Sequence, residues 1–501
     1  MNGSARRWWA WGALCTALLT FGLDMTVLSV AVPVLAVDLN ATASELQWFS
    51  SSYTLVLTAG LLPAGLLGDR FGIKRFLLGG LALFGLASVA CAFADSVESL
   101  IVARAFLGLG AACLVSLSMA VLNVLFPGAD RGRALAVWSV AVAVGVPLGP
   151  VVGGWLLDSF WWGSVFLLNV PFVVVGFVLL AWLVPALPVD RARRADLPGI
   201  VLSGAGVVAL TFGLIEAGDR GWIAISALGP ILAGVALLCA FVVVEGRVRY
   251  PLLDLGLFTT PGFRWGGLLS GLTSFVLLGV LFLLPQYFDA VRGAGALEAG
   301  VQLLPMVLGM SVGMQVADPL NRRLGVKVVG AGGFLVMAAG LVIGAVSGSG
   351  HGYGFIALWV SLVGVGLGCA VFAALDDALG ALDPGRSGVG GGVLQVIRQL
   401  GGTLGVAILG TVLNAGYRGS VDVGGLPEPS AEAVRDSAAG GARVAESVPD
   451  LLGSVRSAFV SGMSAALWVS AALALVGAAL AALFLPFRAQ DVEAERQFAA
   501  R

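Results

Sequence analysis

Two ionisable residues stand inside stretches that are otherwise apolar enough to be buried in lipid: Asp24, in Leu23-Asp24-Met25-Thr26, and Arg104, in Leu100-Ile-Val-Ala-Arg104-Ala-Phe-Leu-Gly108-Leu-Gly110. A charge near the bilayer centre costs at least about 2.5 to 3.5 kcal/mol on insertion scales, so such a residue faces a cavity, a counter-ion or a task. Asp24 is a proton carrier or a structural partner of Arg104. Arg104 meets a counter-ion or snorkels to the outer headgroups. The single histidine, His351, sits in the polar turn Ser-Gly-Ser-Gly-His-Gly, so a proton crossing this chain must ride on carboxylates. Asp376 and Asp377 lie in the inner third of their span, where they meet a cationic substrate, a proton or cytoplasmic water. Arg398 opens a glycine-rich span as a polar pairing or substrate contact, while Asp318 and Glu216 lie near span ends and read as interfacial.

Two further stretches bear on movement. Gly68-Asp69-Arg70-Phe71-Gly72-Ile73-Lys74-Arg75 is a tight loop between apolar runs. Its glycines permit the turn, and Asp69 is placed to cap the next helix or pair with an arginine. It is either a switching contact or a positively charged topology anchor. Gly145-Val-Pro147-Leu-Gly149-Pro150-Val-Val-Gly153-Gly154 carries four glycines and two prolines within an apolar run. In water these residues would break a helix. In lipid the backbone stays helical, kinked where proline removes a donor, with a bare face for a neighbouring helix. It serves as a seam between moving parts or as ordinary close packing.

The elements that hold these residues follow from composition. The chain has 501 residues, 58% hydrophobic and 11% charged, well under half the charge of soluble domains. It is an all-α polytopic membrane protein. A net charge of −1 gives no reason to expect nucleic acid as a partner. The five cysteines lie in apolar runs without ligand spacing, so neither disulfides nor a metal are expected. Spanning runs fall at about 10–35, 46–67, 76–94, 99–125, 134–157, 163–186, 197–217, 222–244, 265–288, 299–320, 326–347, 354–380, 390–415 and 459–486. The first contains Asp24 and Pro33 and lacks a cleavage pattern, so it is read as a retained span. With the N-terminus inside, Lys and Arg concentrate in inner loops, against Arg220, Arg292, Arg418, Arg435, Arg443 and Arg456 outside. The positive-inside rule then puts both termini in the cytoplasm and makes the number of spans even, fourteen here.

The two halves repeat. Gly72-Ile-Lys74 pairs with Gly325-Val-Lys327, Gly108-Leu-Gly110 with Gly366-Leu-Gly368, Pro127-Gly128 with Pro384-Gly385, and Gly145-x-x-Leu-Gly149 with Gly401-x-x-Leu-Gly405, all at nearly constant spacing. Parallel repeats of this kind build secondary transporters. The expected division is a six-helix bundle over 1–188, two inserted helices over 189–250, and a second six-helix bundle over 251–501. The polar outer loop at 416–457 is expected to be a lid or flexible loop, with a short surface helix over Ala431–Ala439.

The loop Gly68–Arg75, the arginine segment Leu100–Gly110 and the stretch Gly145–Gly154 resemble the signature motifs of major facilitator superfamily drug:proton antiporters. Leu23-Asp24-Met25-Thr26-Val27, Leu168-Asn169-Val170-Pro171 and Arg398-Gln399-Leu400-Gly401-Gly402 resemble its fourteen-span branch, the QacA/EmrB-type exporters. The resemblance implies the major facilitator fold and multidrug efflux, the proton-driven export of small amphipathic toxic organic compounds or antibiotics across the cytoplasmic membrane of a bacterium. It implies a monomer that needs no cofactor. Proton coupling then falls to Asp24, the carboxylate nearest the middle of its span, with Arg104 as its partner, and a cationic substrate would compete there with the proton. Gly68, Asp69, Arg70, Gly72, Lys74 and Arg75 fall to switching, and Gly145–Gly154 is the antiporter kink. The sequence departs from the pattern at Ile73, where an arginine is usual, and at Ser51 and Met310, where some multidrug relatives carry an acidic residue. The last two argue against dications as good substrates. A dedicated exporter of one metabolite or lipid is the alternative. A membrane enzyme or sensor would leave the repeat unexplained.

Overall fold

Backbone groups in a bilayer core find no water, so long apolar runs must bond their N–H and C=O groups internally, as helices. The computed structural model describes residues 3–39, 41–126, 130–184, 197–248, 253, 255–348, 350–382, 387–424, 426–448 and 450–486. Among these the regular elements are all helical. The first half contains α1 (Gly3–Asp38), α2 (Ala43–Phe71), α3 (Ile73–Ala92), α4 (Val97–Leu125), α5 (Asp130–Ser159), α6 (Ser164–Leu167) and α7 (Asn169–Leu183). Then come α8 (Leu197–Arg220) and α9 (Ile225–Glu245). The second half contains α10 (Pro261–Ala290), α11 (Ala296–Gln302), α12 (Leu304–Leu324), α13 (Val326–Ala345), α14 (Tyr353–Gly380), α15 (Ser387–Ser420), α16 (Glu428–Asp436), α17 (Ala438–Ser447) and α18 (Leu451–Phe484). Twelve helical spans among the described residues are long and apolar enough to cross a membrane. The remaining two expected stretches, 46–67 and 134–157, fall on α2 and α5, of 29 and 30 residues.

Contacts divide the chain into two units, Met1–Leu253 with Ala294–Val301, and Asp254–Gly293 with Gln302–Arg501. The pair α8–α9, expected as a separate insert, is grouped with the first unit, where α8 packs on α2 and Phe212 lies 5.9 Å from Trp48 between ring centroids. In the first unit α1 packs on α5 and α7, and α4 on α2 and α3. In the second, α10 packs on α15 and α18, and α14 on α12 and α13.

Backbone contacts make the repeat explicit. A Cβ on Gly145 would stand 2.7 Å from Leu19 O and 2.9 Å from Leu23 N; its counterpart Gly401 meets Gly271 O. Gly149 meets Leu23 O and Gly405 meets Phe275 O in the same way. Only a hydrogen at these positions lets the backbones come so close. The expected pairing of Gly108-Leu-Gly110 with Gly366-Leu-Gly368 is out of register. Gly108 lies on Tyr53 O and Leu57 N, as Gly364 lies on Met306 O and Met310 N, and Gly110 lies on Phe84 as Gly366 lies on Met337. The contacts therefore equate Gly108 with Gly364 and Gly110 with Gly366. The run Gly364-Val-Gly366-Leu-Gly368 offers two overlapping matches, and only packing chooses between them.

The tight loops also repeat. Gly72 and Gly325, between α2–α3 and α12–α13, have φ of 105° and 86°, which a side chain would oppose. Their N–H groups close the preceding helices on Gly68 O at 2.9 Å and Asn321 O at 2.8 Å. α5 runs as one helix through 145–154; the Pro147 side chain lies outside the described residues. At its far end Gly154 lies against Ala296 O and Leu297, and Asp158 Oδ2 accepts from Leu297 N at 3.3 Å, within the first unit.

The outer loop is more ordered than its composition suggests. In place of one short helix it forms two, α16 and α17, separated at Ser437, whose Oγ accepts from Gly440 N at 3.0 Å. Tyr417 on α15 donates its hydroxyl to Val434 O at 2.8 Å, and Arg418 reaches Asp436 at 3.3 Å. The segment is a docked cap on the second unit.

Gly145→Val tests the packing argument. Its methyls have no space between α1 and α5, and overpacking costs about 1 to 3 kcal/mol. We expect a lower thermal unfolding midpoint in detergent and reduced export; a midpoint equal to wild type would show that the two helices separate freely at this point.

Candidate functional site

Among the described residues, the first unit buries an ion pair between α1 and α4. Asp24, on α1, and Arg104, on α4, are both 1% exposed, and Arg104 Nη1 donates to Asp24 Oδ2 at 3.0 Å. Of the two readings of Arg104, the counter-ion is realised and snorkelling is not. The second carboxylate oxygen, Oδ1, accepts from Asn169 Nδ2 at 3.3 Å, and the same amide stands 3.4 Å from Ser88 Oγ on α3. Asn169 occupies the first position of α7, at the break between α6 and α7. Pro171, with no N–H to donate, follows two residues later and favours a helix start here.

Arg104 is boxed by aromatic rings. Its guanidinium carbon lies 4.5 Å from the Tyr53 ring centroid, 5.5 Å from Phe49 and 5.9 Å from Phe166, all buried. Cation–π attraction strengthens when water is excluded, so the rings help to hold the guanidinium beside Asp24. Arg104 Nε, the Tyr53 hydroxyl and the Ser51 hydroxyl have no partner among the described residues. Buried groups left this way are uncommon and point to a function or an ordered water.

The repeat shows how this centre is used once. With Leu23 equivalent to Phe275 and Gly108 to Gly364, Asp24 corresponds to Val276 and Arg104 to Val360; Tyr53 corresponds to Met306. All three counterparts are buried and apolar. The second unit keeps the packing and lacks the charge pair.

The other expected residues are dispersed. Gly68 packs on Leu117, Arg70 is exposed with its guanidinium carbon 5.6 Å from the Phe71 ring, and the Asp69 side chain lies outside the described residues. Lys74 Nζ donates to Ala181 O at 2.7 Å and Arg6 to Leu183 O at 3.2 Å. Both satisfy carbonyls at the C-terminus of α7, where a cation also suits the helix dipole. Arg75 lines a groove of about 460 Å³ with Gly79, Gly80 and Cys113. In the second unit Asp376 is exposed and accepts from Asn321 at 2.9 Å, while Asp377 is buried. Asp318 pairs with Arg322 at 2.9 Å and Glu216 with Arg220 at 3.3 Å, each one turn apart on its own helix.

Asn169, Ser88 and the aromatic box had no assigned role from sequence. The legible signals were an amide inside an apolar run and a tyrosine one turn past Trp48-Phe49.

This centre sits in a chain whose residues 14–406 match the profile of the Major Facilitator Superfamily. The chain belongs to the Major Facilitator Superfamily. It is thus a multi-pass membrane transporter. It is 34% identical to the tetracenomycin C resistance and export protein of Streptomyces glaucescens, covering 98% of this chain and 94% of that one. It is also 34% identical to the multidrug efflux pump LfrA of Mycolicibacterium smegmatis, covering 95% and 96%. A bacterial homolog of the human lysosomal transporter Spinster shares the fold, with a TM-score of 0.65 at 16% identity over 96% of this chain and 97% of that one. Within this facilitator the Asp24 centre is the feature with chemistry to explain.

Asn169→Leu should leave Asp24 Oδ1 and Ser88 Oγ without a donor, a cost of about 1 to 3 kcal/mol. The expected outcome is export slowed about 10-fold in vesicles at a fixed gradient, with normal insertion. Wild-type rates would remove Asn169 from the site.

Proposed function

We propose that this facilitator exports a small amphipathic organic compound across a bacterial cytoplasmic membrane in exchange for protons, acting as a monomer without a cofactor. It would cross the membrane with fourteen spans, both termini in the cytoplasm. The observation that carries the reading is a fully buried carboxylate, paired with an arginine, in one half of a repeated fold.

Charge drives the cycle. In a water-excluded site an ion pair holds only while both members are charged; removing one charge leaves the other uncompensated, at about 3 to 5 kcal/mol. Protonating Asp24 therefore disfavours the closed arrangement of α1, α4 and α7 and favours one in which Arg104 finds other partners. Substrate binding biases the same equilibrium the opposite way, so neither ligand crosses productively alone. Arg104 supplies the counter-charge, Asn169 orients the second oxygen, and the bare faces of Gly145, Gly149 and Gly153 let α5 slide against α1. Gly68–Arg75 joins α2 and α3 rigidly enough to transmit their movement. A cationic substrate competing directly at Asp24 would have to displace Arg104. Competition is then for the conformation.

The experiment is uptake of a fluorescent drug into everted membrane vesicles under an imposed pH gradient. Asp24→Asn should abolish gradient-driven uptake. It should also lower the unfolding midpoint, since Arg104 is left unpaired. The double variant Asp24→Asn with Arg104→Gln should recover stability without recovering coupling. Gradient-driven uptake in either variant would place coupling on another carboxylate, with Asp376 and Asp377 next. Resistance to many compounds in an efflux-deficient host supports broad export, and resistance to one supports a dedicated exporter.

A further inference from the structure

The second unit holds the opposite of the Asp24 centre. Arg398 is the twelfth residue of α15, which begins at Ser387. The hydrophobic span starts at Gly390, so Arg398 sits about 12 Å along it at 1.5 Å per residue. It is half-buried. Its Nε has no partner, and it makes no hydrogen bond or ion pair among the described residues. Next to it Gln399, 3% exposed, has an Nε2 without an acceptor. On α10, Ser270 is fully buried and its hydroxyl is also unpartnered. Ser270 adjoins Gly271, whose carbonyl meets Gly401, so Ser270 and Arg398 lie within a turn of the same α10–α15 crossing. The position equivalent to Arg398 in the first unit is Val142, so the repeat does not require a cation there.

A guanidinium cannot shed its charge, and one held in lipid without a counter-ion is costly. Its fork suits a carboxylate or another planar oxyanion. The neighbouring leftover groups are donors as well. Meanwhile Ser51 and Met310 are neutral, and the buried carboxylate Asp24 is already occupied by Arg104 and Asn169. Asp377 on α14 is buried with an unpartnered Oδ2, but it lies beside Gly262, about 12 Å along α10 from Ser270 at 1.5 Å per residue, and makes no ion pair with Arg398. We propose that Arg398 is a specificity residue for an amphipathic organic anion, a carboxylate or an acidic enol or phenol, which supplies the missing counter-charge. The inference rests on the export reading above and names its substrate class. It carries an electrical consequence: for a given number of protons entering, exporting an anion moves more positive charge inward than exporting a neutral compound or a cation. Export is then driven by membrane potential as well as by the pH gradient.

The test uses three probes on one skeleton: pyrenebutyrate, its neutral amide and pyrenebutylamine. Binding is measured by fluorescence to the full-length protein in phosphatidylcholine nanodiscs, and uptake in everted vesicles. Wild type should bind pyrenebutyrate about 10- to 100-fold more tightly than the amide, the range of a charge-assisted hydrogen bond. It should bind pyrenebutylamine least. Arg398→Gln should remove the preference for the acid and leave amide binding unchanged; Arg398→Lys should keep part of it. Adding anionic phosphatidylglycerol to the discs distinguishes a lipid phosphate, since competition with pyrenebutyrate would assign the site to lipid and overturn the proposal. Tighter binding of the amine than of the acid by wild type also overturns it, whether or not the variants fold. Because Asp24→Asn should still bind the acid, loss of coupling there with no acid preference in wild type would sink this inference alone. Retained coupling in Asp24→Asn alongside the acid preference would sink only the proton assignment.

Discussion

A charged carboxylate and a guanidinium 3.0 Å apart with almost no exposure to solvent set the terms for the first unit. Neither charge is tolerable alone at that depth. The pair therefore links α1 to α4 only under one protonation state, and Asn169 extends the link to α7. Rings from α2 and α6 surround the guanidinium, and glycine faces bring α1 and α5 into close backbone contact. A change of one proton is thereby felt by several helices at once.

The fold makes such a centre affordable by separating packing from chemistry. Gly145, Gly149, Gly401 and Gly405 hold α1–α5 and α10–α15 at equivalent separations, so both units share one scaffold. On it the first unit buries Asp24 and Arg104 where the second buries Val276 and Val360. The second instead places Arg398, without a partner among the described residues, where the first has Val142. Under the proposed export reading, two chemically different sites on one repeated frame would recognise proton and cargo separately.

Much of this was legible from residue type alone. An aspartate and an arginine in apolar runs announce a cost that only pairing or function can meet, and glycine at fixed intervals announces close helix contact. The register of the repeat was not fully legible, because Gly364-Val-Gly366-Leu-Gly368 fits two alignments. Neither was the part played by Asn169 and Ser88, since a lone amide or hydroxyl has no spacing rule that points to a carboxylate in a distant helix. The isolation of Arg398 is a three-dimensional fact: sequence shows that a charge is present, and only packing shows that no described residue answers it. The cap formed by α16 and α17 was hidden for a different reason. Its polar, glycine-interrupted composition resembles a free loop, and its order comes from Tyr417 and Arg418 in the helix before it.

The central claim is that Asp24 changes protonation during the cycle. Infrared difference spectroscopy on the purified protein reads this directly, by following the carboxylic acid C=O band between alkaline and acidic buffer and on addition of substrate. The account predicts an acid band that appears on acidification, diminishes when substrate binds, and is missing in Asp24→Asn. An unchanged band in that variant, or no substrate-dependent band in wild type, would contradict it.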